Sequence, residues 1–182
     1  MVPERKTRPE ESQSLKLPRG ESKSDNPGQD FSDALAVSLR FLSYRPRTVH
    51  EVRRRLTKNF AEPTIEAVLA HLLACGFLDD TAFAVQWRNS RERRRPKGRK
   101  AIAMELRKLG VDQEVIESTL EELDETAGAR KAALKPATRL VEKGCTHEMF
   151  RRRIGDLLQR RGFNYGTAIA TVEELWQELS QN

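Results

Sequence analysis

The chain is 182 residues long, 37% hydrophobic and 33% charged, with 33 Lys and Arg against 27 Asp and Glu. So small an apolar fraction argues against one thick globule and for small, well-solvated modules, and no stretch reaches the roughly 18 apolar residues that a membrane span needs. A formal charge of +6 and an isoelectric point near 9.6 point to a polyanionic partner, while two cysteines, Cys75 and Cys145, are too few for a disulfide framework and suit a reducing compartment.

Residues 1–30 hold four of the eight prolines (Pro3, Pro9, Pro18 and Pro27), six basic and six acidic residues, and almost no large apolar side chains. Such a segment cannot bury enough surface to offset its chain entropy, so a disordered tail is expected there, leaving the whole net charge on residues 31–182. The opening Met1-Val2-Pro3-Glu4-Arg5 lacks the apolar run of a secretory signal, and a cytoplasmic protein is expected. From Phe31 onward apolar residues recur at helical rather than alternating spacing, which predicts an all-α body.

The first predicted helix runs from Ala34 to Ser43 and carries Leu35, Leu39 and Leu42. Thr48 and Glu51 form a capping box ahead of the stripe Val49, Val52 and Leu56. After Phe60, Pro63 suits the first turn of a helix bearing Ile65, Leu69 and Leu72. Asp79 or Asp80 caps the next helix, Thr81 to about Arg94, with Phe83, Ala84 and Trp87 on one side. Ile102, Leu106 and Leu109 form the following stripe, and Val111 introduces Ile116, Leu120 and Leu123. A helix from about Thr126 to Glu142 contains Pro136, which removes a backbone donor and clashes with the preceding turn, so a kink or break is expected there. Thr146 can cap a helix with Phe150, Ile154, Leu157 and Leu158; beyond Phe163 follow Ala168, Val172 and Leu175.

These elements repeat. Phe60, Val111 and Phe163 mark three frames offset by 51 and then 52 residues, and each follows a residue suited to a left-handed helix C-terminus: Asn59, Gly110 and Gly162. The expected architecture is therefore an elongated array of three tandem three-helix modules, helix-turn-helix-like, at residues 31–78, 79–125 and 126–182.

Charge is distributed unevenly along this array. Residues 88–100 hold eight basic residues against one acidic, namely Arg88, Arg91, Arg93, Arg94, Arg95, Lys97, Arg99 and Lys100 against Glu92. Residues 112–125 hold seven acidic residues and no basic one. Arg53, Arg54 and Arg55 lie between the inward positions Val52 and Leu56; Arg151, Arg152 and Arg153 lie between Phe150 and Ile154, with Arg160 and Arg161 extending the last cluster. Burying either triplet unpaired would be prohibitively costly, so all three clusters are expected on the surface, at equivalent places in the modules. Arginine offers planar, multi-donor contact to phosphate or carboxylate, and a repeated basic ridge could follow a nucleic-acid backbone or line a groove on a nucleoprotein. The scarcity of aromatic residues argues against a base-stacking single-strand platform.

Catalytic and metal chemistry find little support. His71 and Cys75 are four apart on one helix, but no second ligand pair accompanies them, and Asp79-Asp80 reads as a cap. Cys145 and His147 flank Thr146 without a partner acid, and no phosphate-binding loop or dinucleotide fingerprint is present. No catalytic residue, cofactor or metal site is assigned. Trp87 and Trp176 read as packing residues.

Four motifs together make the chain resemble the RecX family. They are Ala34 to Ser43 with the Thr48 to Leu56 helix; Gly76-Phe77-Leu78-Asp79-Asp80-Thr81-Ala82-Phe83-Ala84 running to Trp87; Gly98 to Gly110 with Val111; and Arg160-Arg161-Gly162-Phe163-Asn164-Tyr165. The resemblance spans about residues 31–180. It departs from the family pattern at Asn59, where a glycine is usual and the linking turn is one residue shorter, and at Pro136 and the N-terminal extension. It implies a cytoplasmic, non-enzymatic, monomeric regulator that binds the RecA recombinase and its DNA filament, restraining strand exchange, ATP turnover and coprotease activity, and so recombination and the SOS response. The basic residues of the clusters named above, Arg88 excepted, are then the candidate contacts to RecA or to DNA phosphate. The alternative is a helix-turn-helix-like protein acting on duplex DNA without RecA; an RNA-binding or protein-bridging adaptor is a third class.

Overall fold

The computed structural model describes residues 27–181, and among them the backbone forms nine helices and no strand. They are α1 (Pro27–Ser43), α2 (Val49–Leu56), α3 (Glu62–Ala74), α4 (Asp80–Arg94), α5 (Arg99–Lys108), α6 (Gln113–Glu121), α7 (Glu125–Val141), α8 (His147–Arg160) and α9 (Tyr165–Ser180). Helix packing falls into three groups, α1–α3, α4–α6 and α7–α9. Each group closes around its own core. Val52, Leu56, Ile65 and Leu72 are fully buried in the first, Ile102 and Leu106 with Ile116 and Leu120 fill the second, and Phe150, Ile154, Leu158 and Leu175 fill the third. Burying each such side chain contributes about 1.5–3 kcal/mol, enough for a small module supported by its neighbours.

Local chemistry sets the helix ends. Thr48 and Glu51 make the reciprocal capping box, and Asp79 and Thr146 cap α4 and α8. Gly110 and Gly162 adopt φ of +79° and +80° and close α5 and α8 with paired turns: Val111 N–H donates to Leu106 and Phe163 N–H donates to Leu158, each at 3.1 Å.

Three expectations need correction. Asn59 is not left-handed, since no described residue other than glycine has positive φ. With one residue fewer in this turn, Phe60 N–H reaches only back to Leu56, at 3.1 Å, and no left-handed position is required. Residues 27–30, expected in the tail, form the first turn of α1. Pro27 presets the helical φ at the first position, and Asp30 sits where the helix dipole favours an acid. The remainder of the expected tail lies outside the described residues. Finally, α7 runs unbroken through Pro136. The proline deprives the Ala132 carbonyl of its helical donor, and the Arg161 guanidinium approaches that oxygen to 3.5 Å.

The modules meet through two joints of the same design. In the first, the Thr48 hydroxyl at the start of α2 donates to the Leu109 carbonyl at the end of α5 (2.6 Å), and Val49 N–H donates to Asp80 Oδ1 (3.0 Å). In the second, Gly98 N–H at the start of α5 donates to the Arg161 carbonyl at the end of α8 (2.9 Å), and Arg99 N–H donates to Glu125 Oε1 (2.8 Å). In the first two modules the second helix therefore abuts the C-terminal turn of the next module's second helix.

Candidate functional site

The joints fix the register between modules, and this register corrects the expected equivalence of the three basic clusters. Thr48 corresponds to Gly98, because both begin the helix that enters a joint, so Arg53, Arg54 and Arg55 correspond to Ala103, Met104 and Glu105. Leu106 and Leu158 accept the same turn-closing bond, so Arg99 and Lys100 correspond to Arg151 and Arg152. Helix α8 begins one turn earlier than α5, which moves the last triplet toward the N-terminus of the common frame. The middle and last modules share a basic pair; the first carries its arginines one turn further along.

Not every candidate cation is available to a partner. Arg53 is held by Glu62 and Glu66 of α3. In the middle module Glu105 acts as a hub: it accepts from the Trp87 indole (2.8 Å) and Arg91 Nε (2.7 Å) and meets Lys97. The Arg91 guanidinium also lies 4.3 Å from the Trp87 ring centroid, and Trp87 stacks on Phe83. Burial pushes the Glu105 carboxyl upward, but hydrogen bonds from Lys97, Arg91 and Trp87 outweigh it and hold the group below its ordinary range. This cluster folds the segment after α4 back on itself, with Pro96 and Gly98 buried and Arg93, Arg94 and Arg95 exposed. Arg88 is also structural, donating to the Thr119 carbonyl (2.7 Å) and to Glu122 (3.0 Å). In the last module Arg151 lies 3.8 Å from Glu173, and Arg161 faces α7.

Of the candidate cations, the exposed ones are thus Arg54 and Arg55; Arg93, Arg94, Arg95, Arg99 and Lys100; and Arg152, Arg153 and Arg160, with Arg151 loosely paired. Nothing in residue order announced Glu105 as the sorting element; its only signal was a lone acid after a basic run.

The third helices contrast with the second. Glu62 and Glu66 on α3, Glu114, Glu117 and Glu121 on α6, and Glu174 and Glu178 on α9 are exposed, so every module pairs a basic second helix with an acidic third. Sequence reading found this alternation only in the middle module.

Two grooves lie between second and third helices. One, of about 380 Å³, separates α5 from α6; the other, of about 310 Å³, separates α8 from α9. Every residue lining the first has a counterpart 52 positions later lining the second.

His71 Nε2 lies 3.7 Å from Cys75 Sγ on an exposed helix end, and Asp79 is engaged as a cap. Among the described residues no group of three or more His, Cys, Asp or Glu could hold a metal ion, and no helix is long and apolar enough to cross a membrane.

Family models of RecX match in two places: the first three-helix domain at residues 34–72 and the second at residues 79–120. Regulatory protein RecX of Mycolicibacterium smegmatis is 38% identical over 162 residues, covering 86% of each chain. That of Mycobacterium sp. (strain KMS) is 37% identical over 145 residues, covering 76% of this chain and 79% of its own. The Streptomyces coelicolor protein is 33% identical over 162 residues, covering 88% and 86%. The crystal structure of RecX from Lactobacillus salivarius shares the fold, with a TM-score of 0.73 at 23% identity over 85% of this chain and 99% of that one.

Proposed function

As the chain belongs to the RecX family of regulatory proteins, we propose that it binds the RecA recombinase on its DNA filament and restrains strand exchange, ATP hydrolysis and coprotease activity. It acts in the cytoplasm as a monomer and without chemistry of its own, regulating recombination and the SOS response. The observation that carries this reading is the alternation of basic second helices with acidic third helices, repeated in all three modules. A nucleoprotein filament presents both phosphate and protein surface, and a ligand with alternating strips of each sign complements it. The first Arg-rich strip meets phosphate or acidic side chains through multi-donor contacts, and repetition along the array gives avidity from modest single contacts.

The same alternation disfavours a duplex reader. Helix-turn-helix proteins insert the later helix of the pair into the major groove between two rows of phosphates, where the glutamates of α3, α6 and α9 would be repelled.

The test is RecA-dependent ATP hydrolysis on single-stranded DNA with increasing amounts of this protein. A dose-dependent fall is expected, and the charge reversal R93E/R94E/R95E should weaken it about tenfold or more at physiological salt. Unchanged hydrolysis at all doses overturns the proposal, and tight binding to naked duplex with no effect on RecA indicates the helix-turn-helix alternative. Full inhibition by the triple variant would remove the basic segment from the mechanism.

A further inference from the structure

The two interhelical grooves were not accounted for by the basic and acidic strips. In the middle module the floor is Ala103, Ile116 and Leu120, with the exposed thioether of Met104 at the edge and Arg99 and Lys100 at one end. In the last module the floor is Gly155, Ala168 and Val172, with Arg151 and Arg152 at the matching end and the carboxylates of Glu148 and Asp156 also on the lining. The first module differs at the equivalent place. Position 53, equivalent to Ala103 and Gly155, is an arginine that spans from α2 to Glu62 and Glu66 of α3 and bars the corresponding space. Small residues leave the space open in two modules and a three-residue ion-pair cluster bars it in one.

We propose that these grooves are a tandem pair of docking sites for a short protein segment, its acidic end on the Arg99/Lys100 or Arg151/Arg152 pair and its apolar side chains along the floor. Charge complementarity selects the acidic end most strongly in the middle groove, where Arg99, Lys100 and Arg107 outnumber Glu117. The apolar floor selects a peptide over a nucleic-acid strand, since a phosphodiester backbone brings charge to the rim and no aliphatic side chain to the floor. The walls contributed by the third helices, Gln113 and Glu117 in one groove and Tyr165 and Ile169 in the other, offer no cation to bind phosphate from that side. The common frame means that both sites take the same kind of segment, so one molecule engages two copies. This goes beyond the filament reading and holds for any partner that displays such a segment.

The test uses the full chain, nitrogen-15 labelled, titrated with the synthetic peptide Glu-Glu-Ala-Leu-Ala-Ala-Leu-Leu and followed by two-dimensional NMR. Amide shifts are expected within 99–120 and 151–172 and not within 49–69. Ala103→Arg, which installs the first module's bar opposite Glu117, should weaken binding to the middle groove about fivefold or more while leaving the last unchanged, its intact shifts reporting that the protein remains folded. Should Ala103→Arg unfold its module, Lys100→Glu, which reverses the charge at the exposed basic end of the middle groove, supplies the same test. Absence of shifts at millimolar peptide overturns the proposal. So does equal binding of an all-Glu peptide or of a single-stranded oligonucleotide, because charge alone would then suffice.

Discussion

The two joints between modules make the same connection with different chemistry. The first relies on a side chain, the Thr48 hydroxyl, to reach the Leu109 carbonyl, whereas the second uses the backbone N–H of Gly98 to reach the Arg161 carbonyl. The geometry follows from the donor. A Cβ added at Gly98 would lie 2.2 Å from the Gly162 carbonyl oxygen and 2.3 Å from Phe163 backbone, so the last two modules touch main chain to main chain. The electrostatics differ as well. Glu125 at the second joint also accepts from the Asn164 amide at 2.6 Å. Its counterpart Asp80 faces Asp79, Asp112 and Glu51, and burial first, then these like charges, pushes its carboxyl above the ordinary range despite the Val49 N–H. The turns that end α5 and α8 therefore serve twice, closing one helix and receiving the neighbouring module. A few hydrogen bonds at such turns fix how successive basic strips are spaced relative to one another.

The largest effect should come from forcing the second joint to use the first joint's residue. Gly98→Thr drives a branched side chain into Gly162 and Phe163, and a loss of about 3 kcal/mol in urea-induced unfolding is expected, with a larger radius of gyration by small-angle scattering if the modules separate. Wild-type stability and radius would show that the contact is dispensable. Next in size is Thr48→Val. It removes both the cap to Glu51 N–H and the donor to Leu109, and should cost about 1–2 kcal/mol, whereas Thr48→Ser should restore most of it. A loss for Ser with none for Val would assign the effect to the methyl group instead.

Much of this comparison was invisible in the sequence, and for physical reasons. The helices and their stripes were legible because 3.6-residue periodicity and Thr, Asp and Gly caps are local signals: Val52, Leu56, Ile102, Leu106, Ile154 and Leu158 all face cores. Gly110 and Gly162 could be read as helix ends, but that Gly162 also receives Ala101 depends on contacts across the chain. Pro136 misled because the rule for interior proline counts the lost helical bond, while the partial replacement comes from Arg161, 29 residues removed from Ala132. Of the basic clusters, composition located the charge but not its availability. Arg53, Arg91 and Lys97 are held by glutamates of other helices or turns, while Arg93, Arg94 and Arg95 between them are left to solvent. The equivalence of the triplets failed because α8 starts one turn earlier, a shift that apolar spacing does not reveal.

The smallest effects separate the joints most sharply, because they should have opposite signs. Asp80→Asn keeps an oxygen to accept from Val49 N–H and turns an amide toward the surrounding carboxylates, so a higher melting temperature than wild type is expected at pH 7. Glu125→Gln keeps only one accepting oxygen for two donors, Arg99 N–H and the Asn164 amide, and should lower stability by about 1 kcal/mol. The pH dependence gives an independent reading. A carboxyl raised in the folded state above its ordinary value of 3.8 takes up a proton there before it does in the unfolded chain, so acidification through that window strengthens the first joint and rising pH weakens it. The advantage of Asp80→Asn should accordingly shrink toward pH 4. Glu51 and Glu105 act in the other direction: burial raises both, but their hydrogen-bonded cations and N–H groups hold them low, and their contribution is present above 4.5 and lost as pH falls below it. Glu105 cancels in the difference between Asp80→Asn and wild type, whereas Glu51, one of the charges facing Asp80, belongs to the joint whose coupling that difference reads. A variant that is less stable than wild type at pH 7, or whose advantage does not change between pH 7 and pH 4, would mean that the Asp80 charge strengthens the contact with Val49 more than its acidic neighbours oppose it.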